Sequence, residues 1–167
     1  MHKFKNNKIT GRRKKIGAYA FYACTDLKNV KIPKSLSDIG LLSFSGTNWL
    51  KNKQAENPLV IVNGILIDGM YCKGNVTIPK SVKTIGAGAF YRCSNLKSVK
   101  IPKSVNSICG GAFFDCIGLE TIIIPNSIKS IGKTAFSNCT SLKKVKIPKG
   151  VKTICNEAFA NCQSLKR

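Results

Sequence analysis

Apolar residues recur along this chain on a fixed 23-residue grid. Phenylalanine marks it at Phe21, Phe44, Phe90, Phe113, Phe136 and Phe159, and Ile67 fills the remaining point. Five positions earlier stand Ile16, Ile39, Val62, Ile85, Ile108, Ile131 and Ile154. Three positions later stand Cys24, Thr47, Met70, Cys93, Cys116, Cys139 and Cys162, and a leucine column follows them. The grid reads as about seven rungs without a slip. Val99-Lys100-Ile101-Pro102 alternates inward and outward, which predicts a short strand ended by a residue that cannot donate to a ladder. Residues 81–86 read as a second extended stretch, with Val82 and Ile85 turned inward. Ala89 to Cys93 has room for one helical or 3-10 turn, and no segment has the length and period of a full helix. A single rung cannot bury its apolar face alone, so neighbours must stack into a solenoid with a shared core. Parallel strands lie about 4.8 Å apart, so the predicted rod or arc is roughly 35 Å long.

Residues 45–77 keep the length of the period and lose its pattern. Asn63-Gly64 sits between two runs of β-branched and aliphatic residues, and both residues tolerate positive φ, which predicts a β-hairpin over about 59–67. A polar loop from Lys51 to Asn57 is expected before it. Trp49 opens that loop, either as a packing residue or as an exposed binding aromatic.

The element Ile-Pro-x-Ser-Val-x-x-Ile-Gly-x-x-Ala-Phe-x-x-Cys-x-x-Leu-x-x-Val is read in 78–99 and, with drift, in 101–122, 124–145 and 147–165. It resembles the BspA-like (Treponema-type) leucine-rich repeat, and the resemblance covers roughly residues 16–165. It implies a leucine-rich repeat solenoid, mainly β with short turns, over 16–167, preceded by a basic segment 1–15 that is poorly ordered or a degenerate cap. It further implies a place on or outside the cell, and adhesion to host proteins or other microbes. In leucine-rich solenoids the strand side is generally concave and binds, so the resemblance points to the outward residues of the Val-x-Ile strand. No signal peptide or polar cap is evident, so the expectation includes a fragment of a longer array or an element that associates end to end.

Charge sharpens the picture. The 28 Lys and Arg outnumber the 7 Asp and Glu, giving a formal net charge of +21, which attracts acidic partners. The single histidine, His2, and seven scattered acids leave little for acid–base chemistry. No glycine-rich phosphate loop occurs, and no apolar run reaches the roughly 20 residues of a membrane span. Five of the eight cysteines fall in one column and Cys72 stands alone near the hairpin. Cys109 and Cys155 lie two rungs apart, about 10 Å, which is too far to bridge. The cysteines therefore read as buried or free thiols. Without Cys-x-x-Cys or an internal histidine, neither a zinc site nor a catalytic thiol is expected, and no cofactor is implied.

The lysines also follow the grid. One column holds Lys31, Lys100 and Lys146, a second Lys34, Lys80, Lys103 and Lys149, and a third includes Lys97 and Lys143. They read either as solubilising residues that protect strand edges or as a polyanion-binding face. The expected function is a non-enzymatic recognition or adhesion module for a host or microbial surface protein or an acidic glycan. A generic polyanion binder and a stacking assembly element are the alternatives. Nucleic acid is the least favoured partner, because stacking aromatics are few and arginine is scarce.

Overall fold

The computed structural model describes Ile9 and residues 14–166. Apart from Ile9, Lys14 and Lys15, the basic segment 1–15 lies outside the described residues. In chain order the elements are β1 (Lys15–Ile16), β2 (Asp38–Ile39), α1 (Asn48–Glu56), β3 (Val60–Val62), β4 (Ile65–Asp68), β5 (Gly74–Thr77), β6 (Thr84–Ile85), β7 (Leu96–Lys100), β8 (Ser107–Ile108), β9 (Thr121–Ile123), β10 (Ser130–Ile131) and β11 (Thr153–Ile154). They wind into a β-solenoid of about six turns.

The coils over residues 78–123 each contribute two short strands. The Ser/Thr-Ile strands build a six-stranded sheet ordered β11-β10-β8-β6-β4-β3, parallel except for the hairpin β3–β4. The Val-x-Ile strands build a three-stranded parallel sheet, β5-β7-β9. The first two coils pair separately, β1 with β2. Between the sheets lie the grid residues. Phe90, Phe113 and Phe136 are fully buried, and their rings stack at 5.0 Å with planes 8° and 5° apart. A smaller core holds Ile16, Leu27, Leu36, Ile39, Phe44, Trp49 and Leu50.

The Ala-Phe corner is built from turns rather than a helix. Tyr91 and Cys93 donate N–H bonds back to Gly88 and Phe90, as a 3-10 turn would. A left-handed residue two places before each phenylalanine and another two places after it stop any helix from propagating. The first column is Tyr19, Leu42, Gly88, Gly111, Thr134 and Glu157; the second is Ala23, Gly46, Arg92, Asp115, Asn138 and Asn161, all with positive φ. This alternation turns every second N–H toward the next coil. Gly88, Phe90 and Arg92 donate to the carbonyls of Gly110, Ala112 and Phe114 at 3.1, 2.7 and 2.8 Å. The corner therefore continues the hydrogen-bonded stack between the two sheets.

The cysteine column runs beside it. The Sγ–H groups of Cys116, Cys139 and Cys162 donate to the carbonyls of Phe90, Phe113 and Phe136 at 3.0, 3.2 and 3.1 Å. A small, soft donor thus fills the space and satisfies a buried carbonyl. All eight thiols are unpaired. Burial pushes the Cys93 thiol up to about 12 and Cys162 up to about 11.

The irregular coil corrects two expectations. The hairpin forms where Asn63-Gly64 predicts it, with φ of 49° and 77°. It puts two strands where a regular coil has one, however, and only β4 continues the stack. Leu66, rather than Val62, therefore pairs with Ile85. Gly69 donates to the Ala89 carbonyl, just as Phe90 donates to that of Ala112, so Gly69 occupies the phenylalanine slot in place of Ile67. A side chain there would run into the Phe90 ring. Cys72 then takes the cysteine slot in place of Met70, and the Cys93 thiol donates to its carbonyl at 3.1 Å. The grid does slip, and a bulge at Gly74/Asn75 restores the 23-residue register, with Val76 opposite Val99.

The second correction is α1, which occupies the expected polar loop. Thr47 caps it, its Oγ1 accepting from the Leu50 N–H at 3.1 Å and donating to the Phe44 carbonyl at 2.7 Å. Trp49 is buried against Phe44, ring centroids 4.6 Å apart, so it packs rather than binds. Gln54 holds Asp68 at 2.9 Å, and burial raises the pKa of that carboxyl.

Candidate recognition face

Alternation along β5, β7 and β9 turns Val99 and Ile122 inward and leaves Thr77, Lys100 and Ile123 outward in one register row. Pro102 and Pro125 end the strands and swing the chain away, carrying Lys80, Lys103 and Asn126 in a second row. Between these rows the sheet is hollowed into an open trough of about 1160 Å³, lined also by Ser98, Ser104 and Thr121. Apolar surface dominates its floor. Ile123 is 76% exposed in a column that also holds Lys31, Lys100 and Lys146, and it is the most exposed large apolar side chain among the described residues. A solitary exposed isoleucine is ordinary, but this one is set in a hollow rimmed by lysines.

The lysines divide into two groups. Lys80, Lys100 and Lys103 line the trough, and none of the ion pairs among the described residues involves them. Lys97 and Lys143 instead flank Glu120, with Nζ–O distances of 3.4 and 2.8 Å. Lys143 first, then Lys97, holds that exposed carboxyl below its ordinary value. The third column is thus locally compensated. Lys146 and Lys149 are exposed on the next coil, beyond the trough's lining, where the sheet has shrunk to a single bridge between Thr121 and Lys144. Lys31 and Lys34 are exposed on the first coils, where the Lys31 carbonyl accepts from the Ile9 N–H at 3.3 Å. The structure therefore brings three of the nine candidate lysines together. Spacing places Ile123 outward in the lysine column, but it is not among the sequence-predicted site residues.

Elsewhere the chemistry is sparse. No cluster of three or more His, Cys, Asp or Glu among the described residues is placed to hold a metal ion. No helix among them is long and apolar enough to cross a membrane.

Comparison with known proteins bears on the fold. A family model of the BspA type leucine rich repeat region matches residues 1–63 and 70–167, in six copies. No curated protein sequence matches the chain. Among solved structures, a leucine rich cell surface protein from Faecalibacterium prausnitzii A2-165 is 27% identical, with a TM-score of 0.64 over 95% of this chain and 52% of its own. The chain thus spans about half the length of that relative. A leucine rich repeat protein of T. pallidum is 25% identical, with a TM-score of 0.54 over 91% of this chain and 71% of its own. The pneumococcal vaccine antigen PcpA, 23% identical with a TM-score of 0.64 over 93% of this chain and 42% of its own, shares the fold.

Proposed function

Because this chain belongs to the BspA-type leucine-rich repeat family, we propose that it is a non-enzymatic recognition module, part of a cell-surface or secreted adhesion protein, whose trough takes an acidic protein partner. The observation that carries this reading is the exposed Ile123 framed by Lys80, Lys100 and Lys103, which have no carboxylate partner among the described residues. An apolar anchor inside a charged rim is how interfaces combine affinity with orientation. The F. prausnitzii relative, described as a cell surface protein, supports the location. A second reading, a generic polyanion binder, rests on the same unpaired lysines.

Salt separates the two readings. The purified chain is presented to extracellular-matrix proteins, acidic glycans and nucleic acids at about 0.05 and 0.3 M salt, concentrations at which screening differs strongly. Recognition of one protein that survives the higher salt and is lost in Ile123→Ser supports the proposal. Binding to every polyanion that vanishes at the higher salt and ignores Ile123→Ser replaces it with the second reading.

A further inference from the structure

The Val-x-Ile sheet has an open edge inside the molecule. In a parallel ladder, alternate residues use both their N–H and C=O on one side. The Ile78 N–H donates to the Lys100 carbonyl at 3.1 Å and the Gly74 N–H to Asn95 at 2.8 Å. Gly74, Val76 and Ile78 therefore face β7, and the main-chain groups of Asn75 and Thr77 face the other way. β5 is the terminal strand of its sheet, and no hydrogen bond among the described residues reaches those groups. The preceding coil withholds the strand that would have met them: its residues 48–56 form α1, which leans on β3 and reaches Asp68 through Gln54.

The core beneath is open at one position. Val99 and Ile122 are buried, and so is Ile78, whereas Val76, beside the missing strand, is half-buried. Val30 and Ile32, which hold the same columns in the first coils, are also half-buried. Exposed lysines stand around the notch: Lys73 and Lys80 flank β5, Lys100 lies across from Thr77, and Lys31 and Lys34 belong to the earlier coils.

We propose that an extended acidic peptide segment of a partner docks on the β5 edge as an added strand. Its main chain pairs with the N–H and C=O of Asn75 and Thr77. Its inward side chains are β-branched and cover Val76; its outward ones are carboxylates facing the lysines. Strand addition draws affinity from the main chain and specificity from alternate side chains, and this edge offers both. The inference goes beyond the reading of the trough by placing a second docking point on the same sheet, and it fails separately from that reading.

The probe is a synthetic, end-capped peptide alternating Glu and Val, about six residues long, a common strand length. Hydrogen exchange of the intact chain is followed residue by residue. Saturating peptide should slow the Asn75 and Thr77 amides at least about 10-fold, because they move from open to ladder-bonded. A Lys–Val peptide, or the Glu–Val peptide N-methylated at its edge-facing amides, should leave them unchanged. Thr77→Pro deletes an N–H that the fold does not use, so it should melt within about 3 °C of the parent and bind the peptide at least about 10-fold more weakly. If that variant melts lower, the exchange data on the unaltered chain decide. Ile123→Ser lies two strands away and should change peptide affinity by no more than about twofold. Unchanged amide exchange at millimolar Glu–Val peptide overturns the proposal, as does equal slowing by the Lys–Val peptide. Binding lost in Ile123→Ser but kept in Thr77→Pro overturns it and leaves the trough standing.

Discussion

The left-handed corner columns invite a substitution that ordinarily harms a protein. Thr134 has φ of 53° with a β-branched side chain, while Gly111, one coil earlier in the same column, has φ of 60°. An L-residue in this region costs roughly 1–2 kcal/mol, and branching at Cβ adds crowding. Thr134→Gly removes that cost, but frees the unfolded chain by about 0.4–1 kcal/mol. It also removes the exposed bond from Thr134 Oγ1 to the Lys133 carbonyl. The net expectation is a stabilisation of about 0.5–1 kcal/mol, a rise of about 1–4 °C for a chain of this size. Gly111→Ala is the matched reverse. A methyl there would come no nearer than 3.7 Å to the Phe114 side chain, so the site has room and the penalty is conformational alone. It should cost about 1 kcal/mol. Gly88→Ala, in the same column, should cost more, because its methyl would also strike Leu41. Thermal and urea unfolding of the three variants measure all of this. A destabilised Thr134→Gly, or a Gly111→Ala that costs nothing, would show that backbone conformation does not govern the corner.

Other substitutions probe the core, the thiols and the buried acid. Phe113→Ala, which removes a fully buried ring stacked on both faces, should cost about 3–5 kcal/mol in urea unfolding. Iodoacetamide at pH 8, followed by peptide mapping, should label exposed Cys155 well before Cys93. Only about 10⁻⁴ of a thiol raised to about 12 is thiolate at that pH. The raised pKa of Asp68 means that the folded state holds this proton more tightly than the unfolded chain does. Its contribution to stability is therefore present at acid pH and lost as pH climbs from about 3.9 through the folded value. Asp68→Asn can still accept from Gln54 and Met70, so it should melt higher than the parent at pH 7 and lose that part of the pH dependence.

How far the sequence could be read follows from what repeats. Phe90, Phe113 and Phe136 announce the stack because each coil meets the same neighbours, so one solution is written several times. The hairpin coil is written once. Ile65, Leu66 and Ile67 are all apolar, so the grid found a plausible residue at every slot, and the slip that puts Gly69 and Cys72 into the phenylalanine and cysteine positions stayed hidden. α1 was equally hard to see. Its body, Lys51 to Glu56, is polar, and its hold on the core is confined to Trp49 and Leu50 in the first turn. The trough was legible through Lys100, Lys80 and Lys103. The sharing of Glu120 by Lys97 and Lys143 needed the coil spacing and side-chain directions that only coordinates supply.

The separation of the β1–β2 pair from the six-stranded sheet has a mechanical side. Corner hydrogen bonds such as Phe90 to Ala112 point along the solenoid axis. A pull along that axis therefore loads the coils in series, and the weakest joint yields first. No strand pairing crosses from β2 to β4. That joint relies on apolar contact, on the Gln54–Asp68 bond, and on the Asn63 side chain, whose Nδ2 donates to the carbonyls of Pro33 and Leu36 at 2.9 and 3.0 Å. Under tension the molecule should part there, letting out chain while the ladder from β4 to β11 stays wound. In a tether between two surfaces, such a joint acts as a force-limiting fuse.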